Sequence, residues 1–291
     1  MKNSNRWAIV LAGGEGKRLK AYVRERFGQD IPKQYCVFHG GKSMLEHTIH
    51  RIRGVIPEER TLTIIGRGHR RFLNGKTLPG RLIEQHSNRG TLPGILLGLA
   101  YILASDPDAD VLILPADHYM APVEKARSLL RQALAAAASS PDKIVLLGAV
   151  PDGPGQDYGW IEPGVPNGGP GVPVSLFREK PTVEKAAEFN LDGLLWNTMI
   201  IASRARTLWE IAWSLSPGIV ERFGLIRTAV ERGREERTIP LVYKTLGYGD
   251  FSGDILERAS RRTMVIPMRN VAWSDWGHPS RIQDWIRKQQ S

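Results

Sequence analysis

One cysteine, Cys36, stands in 291 residues. That excludes an internal disulfide and any zinc site built from cysteines. Cys36 lies between Tyr35 and Val37, so a buried thiol is expected rather than a reactive one. Long apolar runs are also missing. The longest uncharged apolar stretch, Leu92 to Ala104, is too short to span a bilayer and contains Pro93 and two glycines. Met1 to Arg6 is short and polar and leads directly into an apolar segment, so no signal peptide is expected and the chain reads as cytoplasmic. There is no G-x-S-x-G elbow and no H-E-x-x-H pair, which removes the common hydrolytic designs. His47 and His50 lie one helical turn apart in an ordinary amphipathic segment and are not expected to be ligands. Acidic residues are in deficit: 30 Asp and Glu against 40 Lys and Arg, for a net charge of +10. Such a balance invites a nucleic-acid partner. The chain lacks a long basic tail, zinc-finger spacing and an aromatic RNA-binding signature. A basic surface around an anion-binding cleft is the expectation, with no nucleic acid and no membrane as partner.

What is present begins at Trp7-Ala-Ile-Val-Leu11, a short apolar run too brief for a helix and therefore a buried strand. It breaks into Gly13, Gly14 and Gly16, followed at once by Lys17 and Arg18. Glycines let the backbone bend sharply and approach a ligand closely. Successive inward N–H groups make a concavity for phosphate oxygens, and a guanidinium grips phosphate through two parallel hydrogen bonds. Neither the dinucleotide fingerprint nor G-x-x-x-x-G-K-[ST] fits these residues. Downstream, strand-like and helix-like segments alternate, the pattern of an α/β domain with a mostly parallel sheet and helices on both faces. Ser43-Met-Leu-Glu46 is a capping-box signature that should open a helix running to about Arg53. Strands are expected at Thr61–Gly66, Arg81–Gln85, Val111–Leu114 and Ile144–Val150, and helices from about Pro93 and over Val123–Ala138. Pro151 to Pro173, dense in Gly and Pro, breaks the alternation; strand character returns within it at Tyr158-Gly-Trp-Ile-Glu162. No repeat or domain boundary is visible.

The run Leu11-Ala12-Gly13-Gly14-Glu-Gly16-Lys17-Arg18-Leu19 resembles the L-A-G-G-x-G-x-R-L signature of sugar-phosphate nucleotidyltransferases, and Pro32-Lys33-Gln34-Tyr35 resembles the P-K-Q-[FY] of their mannose-1-phosphate guanylyltransferase branch. Leu114-Pro-Ala-Asp-His118 is similar to L-P-A-D-H, Phe177-Arg-Glu-Lys-Pro181 to F-x-E-K-P, Leu195-Trp-Asn-Thr-Met199 to W-N-S-G-M, and Val271-Ala-Trp-Ser-Asp-Trp-Gly277 to W-x-D-x-G. The resemblance runs from Trp7 to about Ile282. It implies a Rossmann-like, GT-A-like nucleotidyltransferase fold in one domain over residues 1–291. Residues to about 140 would bind the nucleotide and the remainder the sugar phosphate. The carboxyl-terminal isomerase domain of longer bifunctional relatives has no counterpart in these residues.

The resemblance also implies roles. Leu11, Ala12, Gly13, Gly14, Gly16, Lys17 and Arg18 would cradle the nucleotide, with Glu84, Asn88 and Thr91 at the base. Asp117 and Asp275 would hold Mg²⁺, a hard dication that takes one or two carboxylates and completes its shell with water and phosphate. Arg18 and Lys33 would hold departing pyrophosphate. Lys180 would meet the sugar phosphate; the proline after it should keep it extended and aim it across the sheet edge. Gly159, Glu179 and Asn197 would contact the sugar. Asp254 is a weaker carboxylate candidate, with helix capping as its alternative. Two departures stand out. Thr198 and Met199 replace Ser-Gly, and the family's W-P-x-S-R run is absent after Leu19, with Arg24 a candidate replacement for its arginine. The implied substrates are GTP and mannose 1-phosphate. UTP or dTTP with glucose 1-phosphate, and a non-catalytic nucleotide-sugar or nucleic-acid binder, are the alternatives; a homodimer is the candidate assembly.

Overall fold

β1 (Arg6–Ala12) lies inside a nine-stranded sheet because its apolar residues face two cores at once. In the computed structural model, which describes residues 5–166 and 168–290, the strands that follow are β2 (Thr61–Gly66), β3 (Arg81–Gln85), β4 (Asp110–Pro115), β5 (Tyr119–Ala121), β6 (Ile144–Ala149), β7 (Gly159–Pro163), β8 (Val172–Glu179), β9 (Leu195–Arg204), β10 (Thr263–Met268) and β11 (Ala272–Ser274). The helices are α1 (Lys20–Phe27), α2 (Met44–Ile52), α3 (Thr91–Ser105), α4 (Val123–Ser139), α5 (Val183–Leu191), α6 (Ala205–Leu215), α7 (Pro217–Glu231), α8 (Glu235–Lys244) and α9 (Pro279–Gln290). Successive strand side chains point to opposite faces. Ile9 therefore joins the core beneath α3, α6 and α7, while Ala8 and Val10 join the one beneath α2 and α4.

Local chemistry accounts for several boundaries. The capping box forms as expected: Ser43 N–H donates to Glu46 Oε2 (2.8 Å) and Glu46 N–H to Ser43 Oγ (3.3 Å). The uncharged stretch from Leu92 is α3, apolar all round because it is sandwiched between the sheet and α7. Cys36 is buried, and burial pushes its thiol up to about 12, so it stays protonated and inert.

The order is β3-β2-β1-β4-β9-β6-β10-β8-β7. A mostly parallel sheet is not what forms. Among the described residues, β1–β2, β1–β4, β2–β3 and β6–β10 are parallel, whereas β4–β9, β6–β9, β8–β10, β7–β8 and β7–β9 are antiparallel. The first half winds through helical crossovers, which parallel pairing needs. After β6 the chain instead turns through the β7–β8 ribbon and re-enters as β9, ten residues running against both neighbours.

A separate two-stranded ribbon positions the site. β5 pairs antiparallel with β11 in the register Ala121–Ala272, Met120–Trp273, Tyr119–Ser274. This pairing lays the segment after Ser274 beside the one before Tyr119. A third, smaller core of Leu19, Val23, Phe38, Met44, Trp276 and Ile282 packs α1 and α9 beside it.

Candidate active site

The glycine turn leaves β1 at its carboxyl end, the edge where open α/β sheets bind ligands. Gly16 has φ 64°, a left-handed conformation that favours glycine. At Gly13, a Cβ would stand 2.7 Å from Gln85 Oε1. Gln34 holds the turn in place, its amide donating to the carbonyls of Ala12 (2.8 Å) and Gly14 (2.7 Å), and the Tyr35 hydroxyl adds a bond to Ala12 (3.2 Å). The P-K-Q-Y segment is thus a buttress under the phosphate loop.

Lys33 is buried, and its ammonium lies 2.9 Å from Asp117 Oδ2. It also donates to the carbonyl oxygens of Asp275 and Trp276. Three donor positions meet three acceptors, so Lys33 ties the two acidic segments together. The ammonium expected to hold pyrophosphate is thus directed at protein acceptors here, while Lys33 still borders the charged cavity.

Asp275 is more heavily held. Its Oδ1 accepts the Tyr158 hydroxyl (2.9 Å), the Gly277 N–H (2.9 Å) and Arg281 (2.7 Å); Arg18 lies 3.8 Å from Oδ2. Burial alone would raise this carboxyl, but Lys33, His118, Arg281 and the Gly277 N–H outweigh it and hold it at about 2. Asp117 keeps a third of its side chain open, with His118 Nε2 3.7 Å from Oδ1. Burial opposes its ionisation, and Lys33 and His118 more than compensate, so it too stays low. His118 is pushed down to about 4, chiefly by burial, and is neutral at pH 7.

Two cavities meet here. One, of about 330 Å³, is bordered by Leu11, Gly13, Gln85, Asn88, Asp117 and Met199. The other carries the charge, with Gly16, Lys17, Arg18, Lys33 and Asp117 on its walls. Asn88, Asp117 and Tyr248 border both. Arg18 is exposed and pairs with Asp157 at 3.1 Å; Lys17 pairs with Glu15 at 3.0 Å. Ala12 lies behind the turn, its carbonyl engaged as described.

Several expected residues take other positions. Glu84 faces away from the cleft, accepting from Gly68 N–H (3.1 Å) and bordering a different groove. The next residue, Gln85, faces in, because a strand alternates its faces with every residue. Thr91 borders the first cavity as expected, but its hydroxyl is committed, donating to Asp250 Oδ1 (2.9 Å) and accepting from Phe251 N–H (2.7 Å). Arg24, the candidate replacement for the missing arginine, forms a two-pronged pair with Asp30 at 2.9 and 2.6 Å. Asp254 accepts from Asp250 N–H (2.7 Å), the capping alternative. Lys180 is not extended: its φ is 42°, fixed where its N–H bonds the Tyr158 carbonyl (3.1 Å) as the chain leaves β8. Its ammonium lies 3.1 Å from Glu179 Oε1, while Glu179 Oε2 is buried without a partner against Gly159. Burial raises the Glu179 carboxyl.

Asn197 sits in a closed ring. Its Oδ1 accepts from Met199 N–H (3.0 Å), its Nδ2 donates to Ser252 Oγ (3.3 Å), and Ser252 donates to the Met199 sulfur (3.2 Å). Met199, standing where the resembling motif has glycine, keeps a left-handed φ of 55°. Left-handed non-glycine residues cost about 1–3 kcal/mol each and gather at functional sites; Met199 borders the first cavity, and Trp276, at φ 45°, follows Asp275 directly. Gln85, Arg281 and Tyr248 were not singled out from sequence, and Tyr158 was noted only as the start of the Tyr158-Gly-Trp-Ile-Glu162 segment, not as a partner of Asp275. The Gly247-Tyr-Gly249 triplet and the strand alternation at Gln85 carried a local signal.

A family model of nucleotidyl transferases matches residues 7–291. The mannose-1-phosphate guanylyltransferase of Escherichia coli (strain K12) is 29% identical over 296 residues, covering 95% of this chain and 59% of that protein. Mannose-1-phosphate guanylyltransferase ManC of Salmonella typhimurium is 31% identical over 297 residues, covering 95% and 58%. The chain thus spans under two thirds of the length of these curated relatives. A crystal structure described as mannose-1-phosphate geranyltransferase from Thermus thermophilus matches with a TM-score of 0.79 at 29% identity, covering 94% of this chain and 76% of that one.

Proposed function

This chain belongs to the nucleotidyl transferase family, and from that premise we propose that it transfers a nucleotidyl group from a nucleoside triphosphate to a sugar 1-phosphate. GTP and mannose 1-phosphate are the proposed pair, in keeping with the named activity of the relatives. A phosphate oxygen of the sugar phosphate attacks the α-phosphorus; the new P–O bond forms as the α–β anhydride breaks, and pyrophosphate leaves with the bonding electrons. The nucleophile is already anionic at neutral pH, so no general base is required. The chain's task is to align two polyanions and offset their repulsion, which is positioning and electrostatic work. The inward N–H groups of the glycine turn and the cations Lys17 and Arg18 receive the triphosphate. Lys180 receives the sugar phosphate, and Gln85 and Asn88 line the base side.

Asp117 and Asp275 suit a hard dication: each has one oxygen outside its short contacts, and among the described residues no third His, Cys, Asp or Glu joins them. Mg²⁺ held there would supply charge neutralisation at the α-phosphate. The observation that carries the reading is the Lys33 ammonium, which engages Asp117 and the Asp275 segment at once beneath the phosphate loop. Pyrophosphate release, measured across GTP, ATP, UTP and dTTP with mannose and glucose 1-phosphates, tests it. Release with GTP and mannose 1-phosphate is expected to lead. Release confined to another pair would reassign the substrates, and none with any pair would remove the proposal.

A further inference from the structure

Tyr248 stands where the two cavities of the cleft join. It is 73% exposed, which by itself is ordinary for a surface aromatic. Its fixation is not ordinary. The following residues are fastened to the start of α3. Gly249 N–H donates to the Arg89 carbonyl (2.9 Å), and Leu92 N–H donates to the Gly249 carbonyl (3.1 Å). Asp250 and Phe251 are both bonded to the Thr91 hydroxyl. The ring rests on Gly90, where φ is 93° and a Cβ would fall 3.1 Å from Tyr248 Cε2 and 2.2 Å from the Gly249 oxygen. Any larger residue at 90 would push the loop off. Among the described residues, Tyr248 makes no side-chain hydrogen bond and no aromatic pairing; the Lys180 ammonium lies within electrostatic reach of its hydroxyl, and the face of the ring stays open at the waist of the cleft.

That waist separates the base side, with Gln85 and Met199, from the charged side, with Arg18 and Lys33. A nucleoside triphosphate whose phosphates lie on the glycine turn must cross it with its nucleoside. We propose that Tyr248 is a nucleoside-binding residue, its ring stacking on the nucleoside of the triphosphate and holding it against the glycine turn. The inference rests on the nucleotidyl-transfer reading and adds to it a contact made by the ring rather than by the hydroxyl. Every base has a π-face, so the contact supports affinity for any nucleotide and is strongest for purines.

The test compares Tyr248→Ala and Tyr248→Phe with the wild-type chain. Equilibrium titration with GTP, and KM for GTP and for mannose 1-phosphate, are measured on proteins whose thermal melts match. Loss of one base–aromatic stack weakens binding by about tenfold or more. Tyr248→Ala is expected to show that loss in the GTP titration and in KM for GTP, with a smaller change in KM for mannose 1-phosphate. Tyr248→Phe is expected to retain tight GTP binding. Wild-type-like GTP binding by Tyr248→Ala would overturn the assignment. So would a Tyr248→Phe loss as large as that of alanine, or a loss confined to the sugar phosphate. The titration needs no turnover, so it judges Tyr248 even if no pyrophosphate is released, an outcome that would count against the transfer reaction alone.

Discussion

Replacing Asp275 with asparagine keeps the side chain's shape and removes its charge. Three donors converge on Oδ1, and the Lys33 and Arg18 cations lie near. In the folded chain the carboxyl is held at about 2 against an ordinary 3.8. A tenfold change in proton affinity corresponds to about 1.4 kcal/mol, so the charged form stabilises the fold by about 2 kcal/mol at neutral pH. The folded value lies below the unfolded one. The stabilisation is therefore complete above about pH 5 and drains away as pH falls through 3.8 toward 2, with about half remaining at pH 3. Urea unfolding followed by tryptophan fluorescence should find Asp275→Asn about 2 kcal/mol less stable than wild type at pH 7. The gap should shrink to about half at pH 3. A gap below about 0.5 kcal/mol at pH 7, or one that does not change with pH, would refute the claim that the surrounding cations hold this carboxylate.

Asp117→Asn should remain folded, though less stable because buried Lys33 loses its counter-ion, and lose about 100-fold or more in kcat, the scale of one lost electrostatic contact at a reacting phosphate; steady-state pyrophosphate release checks it. Glu84→Ala should leave KM for the triphosphate unchanged while Gln85→Ala raises it about fivefold or more, the scale of one lost hydrogen bond. Initial rates across nucleotide concentrations separate them. Met199→Gly should unfold in urea within about 1 kcal/mol of wild type, because relief of the left-handed strain offsets the lost side chain and added chain entropy. Met199→Val, β-branched at the same φ, should lose about 2 kcal/mol or more.

The local parts of the site were legible in the sequence because their cause is local. A strand that breaks into Gly13, Gly14 and Gly16 can do little but turn, and Ser43 with Glu46 caps a helix whatever surrounds it. Asp117 could be placed at the end of a buried strand for the same reason. What escaped depends on distance along the chain or on facing. Lys33 reaches the Asp275 carbonyl across 242 residues, and nothing in P-K-Q-Y announces that its ammonium has three partners. Glu84 and Gln85 differ only in which side of β3 they occupy. Alternation sets them on opposite faces, but Leu82 and Ile83 are both apolar and pack on opposite cores, so the pattern does not say which face lines the cleft. The antiparallel half of the sheet was hidden because β9 is buried over most of its length, and a buried run carries no sign of its direction.

The β5–β11 ribbon is only three residues long on each side, yet together with the Lys33 contacts it sets the late acidic segment against the early one. A nascent chain that has made β10 already possesses the glycine turn, Asp117 and the whole wide sheet, but lacks the counterpart that Lys33 must grasp. Under the proposed function, the Asp117–Asp275 pair is therefore assembled only once the last stretch of the chain has been made.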